Sequence, residues 1–307
     1  LGPEGDRGFV HALMPIIFGA DATMGGRIEG VQTPGGTGAV RLAIALAERA
    51  GVTRVHVGTP SWPNHIPIIE DVLLEIIRQG REGDAVLIHA CCHNPSGIDY
   101  TAEQWDAIAD ALAESPVLPI IDSAYQGLGT GLEEDAAGLR KVLAKVPHAL
   151  IAYSCDKNFG LYRDRVGAFY AKVAEPAQMA AAMSNAAALA RANWSMPPDH
   201  GGAAVRIVLR DEELREQWQQ ELDGMRQRLR WVRATLAGAQ KKVEGVPLAH
   251  LEEQNGLFAM LPLNKDQIGK LRDEHAVYMA GSGRINIAGL TKGNIDKFIA
   301  ALTDVAG

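Results

Sequence analysis

The sequence predicts an α/β protein, a mostly parallel sheet flanked by helices with a smaller α+β unit at the C-terminal end, and three observations predict it. Short β-branched runs alternate with amphipathic stretches, the pattern expected of parallel strands joined by crossover helices. Beyond Pro197 and Pro198 this alternation gives way to long polar helical segments. The chain has 307 residues, 47% of them apolar, and no apolar run approaches the roughly 18 to 20 residues that would span a bilayer, so the apolar surface is available for a core large enough for two units.

Taken in order, residues 52–57, 85–90, 117–121 and 149–153 are the predicted strands, and 66–78 and 105–113 are helices between them. The second helix marks its own start, because Thr101 and Gln104 in TAEQW have the spacing of a capping box. In TPGGTGAVRLAIALAERA, Gly35, Gly36 and Thr37 precede an Ala/Leu-rich helix whose free amides and dipole favour an anion. The turn is neither a Walker loop, since no Lys-Ser/Thr follows at the required spacing, nor a dinucleotide fingerprint, since the third spaced glycine is missing. Alone, it reads as readily as a plain helix cap. Residues 211–238 predict a long helix linking the two units, with i,i+4 charge pairs on a solvated face. The boundary is placed near Gly224, giving a large unit over 1–224 and a smaller one over 225–307, with strands near 257–260 and 284–287 and a last helix near 294–305.

Charge and cysteine content narrow the function classes. Lys plus Arg number 30 against 37 Asp plus Glu, a net charge of −7, so attraction to phosphate backbones is not the theme and no nucleic-acid partner is expected. The first residues, LGPEGDRGFV, lack the charged-then-apolar order of a signal peptide, and three cysteines, two of them adjacent, fit reduced thiols better than a disulfide framework. A cytoplasmic protein with no membrane partner is expected. Leu1 sits in a Gly/Pro turn context that does not resemble a translation start, so further sequence upstream is expected.

In open parallel sheets ligands bind outside the carboxyl ends of the strands. Asn94 follows one predicted strand, Asp122 and Tyr125 follow the next, and Ser154 with Lys157 follows a third. One crevice is thereby offered an amide, a carboxylate, a phenol, a hydroxyl and an amine. Period-two alternation through HACCHN would also put His89, Cys91 and His93 on one strand face, a rival zinc reading that lacks a fourth ligand.

The segment SCDKNFGLYRDRVG, residues 154–167, resembles the cofactor-lysine motif of class I pyridoxal-phosphate-dependent aminotransferases, in the aspartate and aromatic branch of fold type I. The resemblance continues in family order through GGTGAVRLA, SWPNH, HNPSG, IDSAYQG, RANWSMPPDHG and SGRINIAGL. It implies pyridoxal 5'-phosphate as cofactor. It also implies a ping-pong transfer of an amino group from an aromatic or dicarboxylic amino acid to a 2-oxo acid such as 2-oxoglutarate or oxaloacetate, with strict aspartate transamination as the alternative. By the same resemblance Lys157 forms the Schiff base and moves the substrate α-proton, Asp122 pairs with the pyridinium nitrogen, and Tyr125 and Asn94 donate to the phenolate oxygen. Ser154 and Arg165 join the Gly35-Gly36-Thr37 turn at the phosphate, while Arg163 is a surface charge. Trp62 stacks on the ring, and His65 and His89 stand near Asp122. Arg284 binds the α-carboxylate and Arg191 reaches from a neighbouring subunit to the distal carboxylate, which makes the active unit a homodimer with shared sites; Trp62 and Asn94 also border the substrate. Phe258 is expected to line the same pocket.

Departures from the family pattern also carry expectations. Met196 stands where strict aspartate enzymes have a polar amide, which tilts the substrate towards aromatic or dual. Asp156 and Ser96 are milder variations without an assigned consequence. The family has several dozen residues before the position of Leu1, including an arm across the dimer and a tyrosine to the partner's phosphate, so these are expected upstream. A lyase or decarboxylase on the same cofactor, and a non-catalytic relative, are the remaining rivals, because fold alone does not select the bond that breaks.

Overall fold

The computed structural model describes the backbone of residues 2–58 and 66–306 and the side chains of 2–58 and 72–306. Helix α1 (Arg7–Phe18) leads to β1 (Ile28–Pro34) and α2 (Gly35–Arg49). The alternating section follows as β2 (Arg54–Val57), α3 (Ile66–Gln79), β3 (Asp84–His89), α4 (Ala102–Ala113), β4 (Leu118–Ser123), α5 (Glu134–Lys145) and β5 (Ala149–Ser154). Strand β6 (Val166–Lys172) closes this part, and α6 (Met179–Trp194), α7 (Asp199–Arg210) and the long α8 (Glu212–Gly238) follow. The C-terminal part holds β7 (Phe258–Met260), α9 (Lys265–His275), β8 (Arg284–Asn286) and α10 (Ile295–Ala306). Among the described residues no helix is long and apolar enough to cross a membrane.

The six strands of the main sheet lie in the order β1-β6-β5-β4-β3-β2, with β2 to β5 parallel and β6 antiparallel to both neighbours. The four strands expected from β-branched runs are all present. The two unforeseen ones, β1 and β6, have a shared reason for being hard to read. Both are buried along almost their whole length, so neither shows polar alternation, and β1 (IEGVQTP) carries glycine, glutamine and proline.

Alternation is nevertheless clear in the packing. Ile120, Ala152 and Phe169 face α2 and α6, through Leu42, Leu46 and Ala186. Ile121, Ile151 and Tyr170 face the opposite way, onto Phe9, Leu13, Ile108, Leu139 and Val142 of α1, α4 and α5. A sheet covered on both sides leaves only its strand ends accessible to a ligand. The capping box at α4 forms as expected, with Gln104 N donating to Thr101 Oγ1 at 3.3 Å and Thr101 N to Gln104 Oε1 at 2.8 Å.

Helix α8 is continuous through Gly224 and buries a stripe of Trp218, Leu222, Leu229, Val232, Arg233 and Leu236. Among the described residues its ion pair is Asp223 with Arg226, at i,i+3 and not at the expected i,i+4 spacing. Arg233 is 2% exposed, and its guanidinium donates to the carbonyls of Asn255 (2.8 Å), Gly256 (3.0 Å) and Phe258 (2.7 Å). That fan of acceptors holds the segment leading into β7 against α8, and Asn255 N donates to Gly97 O of the loop after β3 at 2.7 Å. Asp99 accepts from His93 N and from Asn255 Nδ2, and burial lifts its carboxyl to about 6. Replacing Arg233 by Met leaves several buried carbonyls without donors. We expect Arg233→Met to destabilise the fold by about 3 kcal/mol or more, read as a lowered urea midpoint; an unchanged midpoint would show that water satisfies those carbonyls.

Candidate active site

The turn that carries Lys157 is held by its neighbours. Beyond Ser154, Cys155 N donates to Val166 O at 2.9 Å, tying the turn to the start of β6. Asn158 is fully buried, donating to Tyr153 Oη at 2.9 Å and to Gln126 O, and its own carbonyl accepts from Trp218 Nε1 at 2.8 Å. Phe159 stacks on the same Trp218 ring, centroids 4.4 Å apart and planes 5° from parallel. Lys157 is thus displayed by neighbours anchored in β5, β6 and α8. Its side chain is partly exposed, its Nζ lies 5.3 Å from the Tyr125 ring centroid, and no carboxylate among the described residues pairs with it.

Asp122 is the last residue but one of β4, opposite His89 on one side and Ala152 on the other. Burial raises its carboxyl to about 6, and the nearby Lys157 charge opposes that rise. His89, in register beside it, is pushed down by burial and remains neutral near pH 7. Tyr125 is 6% exposed, and burial pushes its phenol up to about 12, so it is a donor at neutral pH. Asn94 Nδ2 donates to Tyr125 Oη at 3.5 Å, and Asn94 Oδ1 accepts from Arg284 Nη1 at 3.3 Å. Arg284 also lies over the Phe258 ring, 4.9 Å from its centroid, and Phe258 meets Tyr125 edge-on. One continuous path of contacts therefore runs from β8 through Asn94 to the phenol.

The anion-favouring end lies at α2. Gly35, Gly36 and Thr37 do not precede the helix as expected but form its first turn, with Gly35 at φ +73° and no side-chain cap from Pro34. Their amides therefore lack the usual acceptor. A β-carbon on Gly36 would stand 2.8 Å from Ser154 Cβ, and one on Gly35 would overlap Arg165 Nη2, so the turn presses directly on both side chains. Arg165 itself sits at φ +52°, a conformation that costs a non-glycine residue about 1 kcal/mol or more. Its Nη1 donates to Asp156 Oδ2 at 2.6 Å and to Tyr162 O at 2.9 Å. Backbone amides, a hydroxyl and a guanidinium at one end, with a carboxylate lacking any donor among the described residues at the other, fit a phosphorylated cationic heterocycle such as pyridoxal phosphate.

Other expected residues fall elsewhere. Trp62 and His65 lie outside the described residues. Arg191 is exposed in the last turn of α6 and pairs with no carboxylate among the described residues, and Met196 is 54% exposed just beyond it. Arg163 is exposed. The strand alternation assumed for HACCHN stops at His89, because β3 ends there and Cys92 turns at φ +52°. The His89 and His93 rings lie 4.8 Å apart, tilted by 51°, but His89, Cys91 and His93 do not gather their ligand atoms among the described residues. Cys91 and Cys92 do approach Asp135, whose oxygens already accept from the amides of Gly127, Gly129 and Thr130. A cavity of about 720 Å³ opens at the opposite, amino-terminal ends of the strands, beside Lys172 and His148; no residue of the crevice lines it.

The sequence reading did not single out Asn158, Phe159, Trp218 or Gly167. Asn158 and Phe159 lie within the KNFG string, where an amide directly after the candidate lysine is the available signal. Gly167 was also legible in RVGA, since a glycine inside a β-run marks a close backbone approach.

Comparison with known proteins agrees with this geometry. The family described as Aminotransferase class I and II matches residues 3–302. A tyrosine aminotransferase of Rhizobium meliloti is 45% identical, over 94% of this chain and 79% of its own length, and an aspartate aminotransferase of Escherichia coli is 39% identical over 99% and 83%. Among solved structures, an aromatic-amino-acid aminotransferase from Burkholderia pseudomallei, covalently bound to pyridoxal phosphate, superposes with a TM-score of 0.92 at 30% identity, covering 100% of this chain and 83% of that one. With the lysine turn, the crevice and the anion end in place, the match over nearly the whole length means that the chain belongs to the class I and II aminotransferases, a pyridoxal-phosphate-dependent family.

Proposed function

We propose that the chain is an amino-acid transaminase for aromatic and dicarboxylic amino acids, acting as a cytoplasmic homodimer with Lys157 as its reacting amine. The observation that carries this reading is one end of the sheet where Lys157 and Asp122, neither in an ion pair or side-chain hydrogen bond among the described residues, converge with the Arg284–Asn94–Tyr125 path. Relatives named for tyrosine, aromatic amino acids and aspartate support both substrate classes. The exposed Arg191, without a carboxylate partner among the described residues, supports a role across a subunit boundary. Three buried thiols suit a reducing compartment.

Pyridoxal phosphate supplies, when bound, a protonated ring that takes up the electron pair left on the substrate α-carbon. Every other part of the work falls to side chains. Asp122, ionised, holds a ring N–H in place and keeps it protonated. Tyr125 and Asn94 donate to an oxygen anion, at which a protonated phenol and an amide N–H are both competent donors. The first turn of α2, Ser154 and Arg165 hold a phosphate dianion. Arg284 grips the α-carboxylate with a planar fork, and the partner's copy of Arg191 would do the same for a distal carboxylate. Lys157 Nζ takes the α-proton and returns it. With the carboxylate gripped, proton transfer is favoured over loss of carbon dioxide, which sets this reading above a decarboxylase.

The deciding experiment is a half-reaction with cofactor-loaded protein and either aspartate or phenylalanine. One equivalent of the oxo acid per site is expected; ammonia or carbon dioxide in its place would overturn the assignment. Arg191→Ala should lower kcat/KM for aspartate by about a hundredfold while leaving phenylalanine within a few-fold, the loss expected of one desolvated bidentate pair. Equal losses on both substrates would remove Arg191 from the distal pocket. The pH dependence follows from Asp122: below about 6 its carboxyl is protonated and cannot hold a cationic N–H, so cofactor affinity should rise as pH climbs through that value. In Asp122→Asn this step should vanish from equilibrium titrations of the cofactor-free protein. A step that persists belongs to another group.

A further inference from the structure

Asp156 stands immediately before the reacting lysine, and none of the roles assigned above uses it. It is 3% exposed, yet it carries a carboxylate. Its two oxygens have divided tasks. Oδ2 accepts from Arg165 Nη1 at 2.6 Å, and Oδ1 accepts from the backbone N–H of Val166 at 3.3 Å. The residue between those contacts, Arg165, holds a positive φ of 52° without being glycine. One carboxylate therefore grips both the side chain of Arg165 and the backbone that follows it. The Asp156 amide in turn donates to Ser154 Oγ at 3.2 Å, occupying an acceptor position of that hydroxyl and leaving its proton available to donate.

The consequence lies in what remains of the guanidinium. Nη1 is committed to Asp156 and to Tyr162 O, whereas Nη2 lies against Gly35, close enough to overlap any β-carbon there. The Nη2 group of Arg165, which has no hydrogen-bond partner among the described residues, is thus turned toward the first turn of α2. A carboxylate beside an anion site would ordinarily weaken it through like-charge repulsion. Here the carboxylate is already neutralised by the arginine it orients, and an arginine held in one geometry before the anion arrives does not have to give up its rotamer freedom on binding.

We infer that Asp156 is a positioning residue for phosphate recognition, a buried carboxylate that presets Arg165 and Ser154 so that their free donors meet the phosphate of the cofactor. The inference rests on the crevice being the transaminase site. It concerns only the phosphate end of the cofactor, so a ring lacking the phosphate should not register it.

The test titrates the cofactor-free full chain with pyridoxal phosphate and, separately, with pyridoxal, following the absorbance change on capture by Lys157. Asp156→Ala should weaken pyridoxal phosphate about tenfold, the size of one charge-assisted hydrogen bond lost, and leave pyridoxal unchanged, which also shows that the variant is folded. Asp156→Glu, which retains the charge, should recover part of the loss. Arg165→Ala should weaken pyridoxal phosphate at least as much, and adding Asp156→Ala to it should cost little more, because the carboxylate acts through the arginine. Unchanged or tighter pyridoxal phosphate binding in Asp156→Ala, equal weakening of both ligands, or losses that multiply in the double variant would overturn the inference. If wild-type protein captures neither ligand, the transaminase reading fails and takes this one with it, a result distinct from any of the variant patterns.

Discussion

Three stretches of backbone meet at Gly167 with no room for a β-carbon. A side chain there would begin 2.5 Å from the carbonyl carbon of Gly35 and 2.7 Å from the carbonyl oxygen of Tyr153. Strand β6 can therefore run between β1 and β5 in register, Gly167 facing Thr33 on one side and Ser154 on the other, while the first turn of α2 sits directly on the strand ends. Everything at the anion end inherits this closeness. Gly36 reaches Ser154, Gly35 reaches Arg165, and the lysine turn leaves β5 at a fixed height above the sheet. A single methyl group at position 167 would push the helix away from the hydroxyl and the guanidinium together.

Charge is distributed by the same economy of space. The buried carboxylates that organise backbone are satisfied: Asp135 by loop amides, Asp99 by an amide N–H and an asparagine, Asp156 by an arginine and an amide. Lys157 and Asp122 are different, since among the described residues neither forms an ion pair or a side-chain hydrogen bond. Burial of a carboxylate without such a partner is unfavourable, and Asp122 is thereby left open to a ligand that donates to it. Arg233 shows the contrasting solution, a buried cation in no ion pair among the described residues that is stabilised by a fan of carbonyl dipoles and so contributes shape and not reactivity.

Much of this was legible in the sequence because chemistry follows strand ends. Asn94, Asp122, Tyr125, Ser154 and Lys157 could be placed together from three of the four β-branched runs, and all four runs are strands. The capping box at Thr101 was equally direct, since its signal is local. What escaped was of two kinds. Strands β1 and β6 lack alternation because both their faces are covered, and such runs look the same as any buried segment. The turn-holding contacts of Asn158 and Trp218 span 60 residues, and no periodicity announces a pairing at that distance. The period-two alternation read into HACCHN breaks down for a related reason, because β3 ends at His89 and the backbone turns at Cys92.

Helix α8 touches the lysine turn through Trp218 and the C-terminal part through Arg233, with no break between them. At 1.5 Å per residue those two anchors stand roughly 22 Å apart along a rigid rod. Each residue added or removed between them would rotate one anchor by about 100° relative to the other, carrying either the indole away from Asn158 or the guanidinium away from its carbonyls. The stretch therefore behaves as a gauge of fixed length. Its surface residues can drift freely, but the number of residues between position 218 and position 233 cannot change without undoing one end.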